Sequence, residues 1–152
     1  MTPEDLVVIE QIKQLKARYC RLMDTKQWEA WGELFTTDAT FSVIRQPSSK
    51  PVDEPPAPVA VGRAAVRDFS ERIVHTAVTV HHCHNPEIEV LSPTTARGTW
   101  AMEDIVEGPQ LNVSGQGYYH ETYRIEDGAW RIASTLVTRL RVIVPTAADK
   151  AG

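Results

Sequence analysis

The stretch GYYHETYRIEDGAWRI, Gly117–Ile132, decides what kind of fold this chain adopts. It reads as the end of one strand, a tight turn at Glu126-Asp127-Gly128 and the start of the next strand, because hairpin turns favour Asp and Gly. The same alternating pattern extends in both directions. Downstream runs AWRIASTLVTRLRVIV, Ala129–Val144. Upstream lie TARGTWAMEDIVEG (Thr95–Gly108), EIEVLS (Glu87–Ser92) and VTVHHCH (Val78–His84), the last two readable as one continuous strand. LSPTT, Leu91–Thr95, supplies a second turn with its proline. From Val78 onward the chain is therefore expected to be a meander of long antiparallel strands.

Before Val78 the periodicity is helical. In MTPEDLVVIEQIKQLKARYCRLMDT, Thr2 suits the N-cap, Pro3 the first helical position and Asp5 completes a capping box. Val8, Ile12, Leu15, Tyr19 and Leu22 then form one apolar face. TKQWEAWGELF predicts a second, short helix with Trp28, Trp31, Leu34 and Phe35 facing inward, and TTDATFSVI a turn followed by a strand. RQPSSKPVDEPPAPVAVG carries half of the ten prolines and is expected to be a long loop, a lid or a rim. After Gly62, RAAVRDFSERIVHTA predicts a third helix with Val66, Phe69 and Ile73 on one side. Helices first and strands afterwards indicate an α+β fold, three helices packed on a strongly curved sheet that encloses a pocket. The expected organisation is a single domain over residues 1–145, a proline-rich loop at 46–61 and a flexible tail at 146–152.

Composition narrows the function. With 152 residues the chain has room for one domain with a real core, and 42% hydrophobic with 24% charged residues is a globular profile. A net charge of −4 argues against a nucleic-acid partner, which needs a basic face. No apolar run has the length of a membrane span, and the acidic, amphipathic start is not read as a signal peptide. Two cysteines, Cys20 and Cys83, cannot build a disulfide framework, so a cytoplasmic location is expected.

Polar residues that fall on apolar faces are the informative ones, because burying them costs free energy unless they are paired. Tyr19 is either a packed core tyrosine or a phenol that donates into a cavity. Asp24 is either the N-cap of the second helix or a site carboxylate. Five helical residues turn about 140°, so Tyr19 and Asp24 converge only if the chain turns at Met23–Asp24. Asp104 alternates with Trp100 and Met102, which puts it on an apolar face unless a bulge intervenes. In HHCH, His81 shares a face with Thr79 and Cys83, and His82 and His84 share the other. Unbroken pairing to Ile88 and Val90 would turn His82 inward; a bulge at Asn85-Pro86 would turn His81 inward instead. Because neighbouring strand residues face opposite ways, at most two of the four could bind one ion, and no second paired set is present. No metal is expected.

Taken together, IKQLKARYCRLMDTKQWEAWGELFTTDATF, VGRAAVRDF, HHCHNPEIEV, TARGTWAMED, GQGYYHETYRIEDGAWRIAST and TRLRV resemble the SnoaL-like branch of the NTF2-like superfamily. The resemblance covers nearly the whole domain and implies a cone-shaped α+β fold. Within the superfamily the pattern is most similar to the dehydratases of the scytalone dehydratase and bile-acid 7α-dehydratase type. That similarity implies Tyr19, Asp24, His81 and Asp104 as catalytic residues, and it favours His81 over His82. It places a family arginine at Arg139 or Arg141. Trp100, Met102 and Tyr119 are expected to join one of these in binding substrate. The resemblance also implies self-association, as a homodimer or homotrimer.

The chemistry expected of this set is a lyase reaction without cofactor or metal. His81 would act as general base, Asp24 would orient it, Tyr19 would donate to the developing oxyanion, and Asp104 would serve as a second acid or hold His81. The expected substrate is a mostly apolar hydroxy-carbonyl compound such as a steroid or polyketide. The alternatives are an isomerase of ketosteroid type with Asp24 or Asp104 as base, a polyketide cyclase, or a cone that binds a ligand or a partner without chemistry.

Overall fold

The computed structural model describes residues 1–146; the expected tail, apart from Thr146, lies outside the described residues. The first helix, α1 (Pro3–Asp24), is opened by the anticipated capping box. The Thr2 N–H donates to the Asp5 carboxylate at 2.7 Å, and the Asp5 N–H donates to the Thr2 hydroxyl at 3.1 Å. Ile12, Leu15, Tyr19 and Leu22 are buried along one face, and Lys16 and Met23 are buried with them. The helix does not turn at Met23–Asp24. It runs through Asp24, and the turn follows at Thr25 and Lys26, where Lys26 takes a left-handed φ of 59°. Asp24 is thus the last residue of α1 and not the cap of the next helix; that position falls to Gln27, whose side chain makes no cap bond.

The second helix, α2 (Trp28–Gly32), is shorter than its apolar pattern suggests. Phe35 already belongs to β1 (Phe35–Val43), with no turn at Thr36–Thr37. The backbone explains this: Phe35 pairs with Ile132, and the Leu34 carbonyl accepts the Ile132 N–H at 2.8 Å, so the sheet takes these groups before another helical turn can. Trp28, Trp31, Leu34 and Phe35 are nevertheless all buried. Trp31 lies 4.7 Å from Phe35 and 5.3 Å from Tyr19, centroid to centroid.

The proline-rich segment ends in a two-residue strand, β2 (Ala60–Val61), antiparallel to β1. Gly62, at φ 95°, turns the chain into α3 (Arg63–Val74). Four long strands follow: β3 (Val78–Ser92), β4 (Thr95–Glu107), β5 (Asn112–Glu126) and β6 (Ala129–Ile143). They form the expected meander, but β6 then pairs in parallel with β1, giving a mixed sheet of order β2-β1-β6-β5-β4-β3. The sheet curls over the helices without closing, and β2 and β3 remain its edges.

Two of the sheet's irregularities set which histidine and which arginine face the helices. On β3, His84 pairs with Ala101 but Glu87 pairs with Thr99, so the strand carries one extra residue at Asn85-Pro86. Asn85 absorbs it at φ 46°, a conformation that asparagine tolerates better than most residues. Thr79, His81 and Cys83 face inward before the bulge, and Pro86, Ile88 and Val90 after it. On β6, Gly117 of β5 pairs with Arg139 and Gln116 with Arg141, leaving Leu140 as the extra residue. Gly117 is required there, since a Cβ would overlap the Thr138 carbonyl oxygen.

Candidate active site

A cavity of about 480 Å³ lies between the helices and the inner face of the sheet. Its walls are mostly apolar, from Met23 of α1, Phe69 and Ile73 of α3, Phe41 and Val43 of β1, and Val106, Val113 and Val137 of the long strands. Tyr19, His81, Asp104, Tyr119 and Arg139 interrupt that lining with polar groups. A larger recess of about 770 Å³ beside the proline-rich loop takes in none of Tyr19, Asp24, His81 or Asp104.

His81 reaches the cavity because of the β3 bulge, while His82 and His84 are exposed on the other face. Asp24 lies outside the cavity lining and grips His81 from the helical side. Its Oδ1 is 2.6 Å from His81 Nδ1, and its Oδ2 accepts the His81 backbone N–H at 2.9 Å. The Thr79 hydroxyl donates to Asp24 Oδ1 at 2.9 Å and accepts from Lys26 Nζ at 2.8 Å. Burial alone would raise the Asp24 pKa, but the His81 and Thr79 hydrogen bonds outweigh it and hold the carboxyl below its usual range. With Nδ1 engaged, His81 Nε2 has no hydrogen-bond partner among the described residues. Tyr19 and Asp24 leave α1 in different directions, as the continued helix requires, and His81 is what links them to one site.

Tyr19 and Tyr119 are both buried, with ring centroids 5.6 Å apart. Burial is the main cause that pushes both phenols well above the usual tyrosine range, and Glu121 adds to it for Tyr19. They are neutral hydrogen-bond donors at any ordinary pH. Asp104 sits beside His81 across the β3–β4 ladder, yet it does not hold it. Both of its oxygens are taken by Arg139, Oδ1 to Nη1 at 2.6 Å and Oδ2 to Nη2 at 2.8 Å. The expectation that Asp104 braces His81 is corrected on that geometry.

The β6 bulge resolves the two arginines. In regular pairing Arg139 and Arg141 would share a face; the extra residue Leu140 leaves Arg139 inward and Arg141 exposed. Gly115 gives the Arg139 side chain its room, since a Cβ there would stand 3.1 Å from Nη1. Trp100 and Met102, though buried, do not line the cavity. The Trp100 Nε1–H donates to the Tyr123 hydroxyl at 2.8 Å, and Met102 packs with its Sδ 3.6 Å from Arg139 Nη1. Of the residues expected to bind substrate, only Tyr119 and Arg139 reach the cavity wall.

Sequence reasoning missed a buried charge pair behind the tyrosines. Lys16 Nζ lies 2.6 Å from Glu121 Oε1, with both side chains essentially inaccessible. The ammonium stands over the rings of Tyr19 at 3.9 Å and Tyr119 at 3.6 Å from their centroids. The signal was present: Lys16 lies between Ile12 and Tyr19 on the helical stripe, and Glu121 alternates with Tyr119 and Tyr123. Among the described residues no cluster of His, Cys, Asp or Glu is arranged to hold a metal ion, and no helix is long and apolar enough to cross a membrane.

The family profile described as a SnoaL-like domain matches residues 4–135. The chain belongs to the SnoaL-like family. Among solved structures, this SnoaL-like chain is similar to a scytalone dehydratase-like protein from Novosphingobium aromaticivorans. The two share 22% identity and a TM-score of 0.78 over 97% of this chain and 93% of the other. It is also similar in fold to a hexachlorocyclohexane dehydrochlorinase, LinA Type2, at 14% identity, TM-score 0.75, and 95% and 93% coverage. Among curated proteins it matches "Probable cyclase FGR4" of Gibberella zeae, 24% identical over 147 residues, spanning 92% of this chain and 94% of that one.

Proposed function

We propose that this SnoaL-like domain is a cofactor-independent lyase of dehydratase type, acting on a mostly apolar hydroxy-carbonyl compound such as a steroid or polyketide fragment. One observation carries the reading: an imidazole oriented by a carboxylate at Nδ1 presents an unengaged Nε2 to a mostly apolar cavity that also holds two neutral phenols. His81 removes the proton beside the substrate carbonyl, Asp24 fixes the tautomer, and Tyr19 and Tyr119 donate to the oxygen that gains charge. Departure of hydroxide with a proton completes the loss of water. Asp104 and Arg139, bonded to each other, shape the polar end of the cavity. The names of the similar proteins, a dehydratase, a dehydrochlorinase and a cyclase, fit an elimination or related proton-transfer chemistry.

An isomerase of ketosteroid type is less well supported, because it needs a free carboxylate base. Asp24 is turned toward His81, and Asp104 is engaged by Arg139. Self-association is part of the proposal, supported by Val80, Tyr118 and Leu140, which are exposed on outer positions of β3, β5 and β6; sedimentation equilibrium measures it.

A panel of β-hydroxy ketones and thioesters, followed by enone absorbance and mass loss of water, tests the reaction. His81→Ala is expected to lower turnover by about 10²–10⁴-fold while the urea midpoint stays close to wild type. If the variant unfolds, or if it retains full turnover, His81 is a structural residue and the lyase reading fails. Bond migration without water loss would move the assignment to the isomerase, and a wild-type chain that turns over nothing in the panel yet binds one of its members as tightly as the Tyr19, Asp24, His81 triple variant does would move it to a binding role.

A further inference from the structure

Cys20 and Cys83 lie 63 positions apart, on α1 and β3, yet their Sγ atoms are 3.4 Å from each other. Both thiols are free and partly exposed. They share a solvent-open recess of about 400 Å³ with Lys13, Lys16, His82 and Trp100. His81 lines this recess as well as the cavity, but the proposed lyase chemistry makes no use of either sulfur.

We infer that Cys20 and Cys83 form a dithiol site that closes to an intramolecular disulfide on reaction with a hydroperoxide. Two sulfurs in contact need to approach by only about 1.3 Å to reach bonding distance. Each sulfur is the other's hydrogen-bond partner, and the Lys16 ammonium, one turn from Cys20 on α1, favours the thiolate of either. Whichever of the two ionises attacks the peroxide, and the other resolves. In the first step one thiolate takes the outer peroxide oxygen, becoming a sulfenic acid as the O–O bond breaks and the alkoxide leaves with a proton. In the second, the other sulfur attacks it, the S–S bond forms, and water departs with the second thiol's proton. Two thiols lose two electrons, and the hydroperoxide is reduced to an alcohol. The bond ties α1 to β3 one residue from Tyr19 and two from His81. Reduction by a small thiol restores the open state.

The test uses the full chain and hydrogen peroxide or tert-butyl hydroperoxide in stoichiometric steps. The expected product is a monomer about 2 Da lighter, with both thiols lost to Ellman's reagent and a Cys20–Cys83 peptide pair in a non-reducing digest, all reversed by dithiothreitol. Cys20→Ser and Cys83→Ser should each abolish the light species, and the variant that keeps the attacking cysteine should instead accumulate a sulfenic acid that dimedone traps. Sulfinic or sulfonic acids formed in the wild type without the light species, or cross-linked dimers in place of the monomer, would overturn the site.

Discussion

Asp24 and His81 stand 57 positions apart in the chain, and Asp24 holds His81 at two points, the ring Nδ1 at 2.6 Å and the backbone N–H at 2.9 Å. The second bond fixes where β3 passes the end of α1, and the first fixes which imidazole nitrogen faces the cavity. A single carboxylate thus joins the helical layer to the sheet and sets the tautomer of the proposed base. Its backbone bond is also why a histidine substitution need not unfold the seam: Asp24 keeps one partner.

Acid stability follows from this carboxylate. Its folded pKa is depressed, so its stabilisation is present in full above the unfolded value of 3.8 and is lost as pH falls through the lower folded value. Urea midpoints measured from about pH 6 down to about pH 2 should fall more steeply for wild type than for Asp24→Asn. The difference between the two curves isolates Asp24 from the other carboxylates. Parallel curves would mean the pair contributes nothing to folding.

The Asp104–Arg139 pair predicts an asymmetric result. Both groups are largely buried, with side chains 5% and 13% exposed. Arg139→Met should destabilise by about 3–5 kcal/mol, because it strands a carboxylate beside the cavity. Arg139→Met with Asp104→Asn should recover most of that loss. Chemical denaturation of the two single variants and the double variant checks it, and simple additivity would contradict it.

Lys16 and Glu121 should behave in the same way for a different reason. Glu121 accepts from Lys16, from Tyr123 at 2.6 Å and from Thr135 at 3.2 Å, so its charge is held in a dry network. Lys16→Met is expected to cost about 3–5 kcal/mol. Adding Glu121→Gln removes the stranded charge and keeps an acceptor for the Tyr123 hydroxyl, while the Thr135 hydroxyl can accept from the amide NH2, so it should restore much of the stability. Failure of the double variant to recover would show that the cation over Tyr19 and Tyr119 matters more than its pairing.

The β6 bulge has its own test. Gly117→Ala places a methyl group on the Thr138 carbonyl and must push β5 and β6 apart. A loss of about 2–4 kcal/mol is expected, with hydrogen exchange accelerated at Tyr118–Tyr119 and near Arg139 but not at the Asp127–Gly128 turn. Uniform acceleration across the sheet would argue against a local role for this glycine.

Periodicity and punctuation were enough to read the larger plan. The capping box at Thr2–Asp5, the apolar stripe from Ile12 to Leu22 and the Asp127–Gly128 hairpin are local signals, and local backbone preferences are written in adjacent residues. Those signals yield three helices followed by a strand meander, and the residue pattern placed Tyr19, Asp24, Asp104 and one histidine of HHCH among the candidates, while the family resemblance favoured His81 and added an arginine. What local signals do not carry is where one extra residue enters a strand. The bulge at Asn85-Pro86 selects His81 over His82, and the bulge at Leu140 selects Arg139 over Arg141. A bulge is the outcome of pairing with a partner strand, and each slip of one residue reverses every side chain beyond it. The same holds for the parallel pairing of β1 with β6, for the Lys16–Glu121 pair across 105 positions and for the contact between Cys20 and Cys83. These depend on which distant segments meet, and that is settled by packing the helices against the curled sheet.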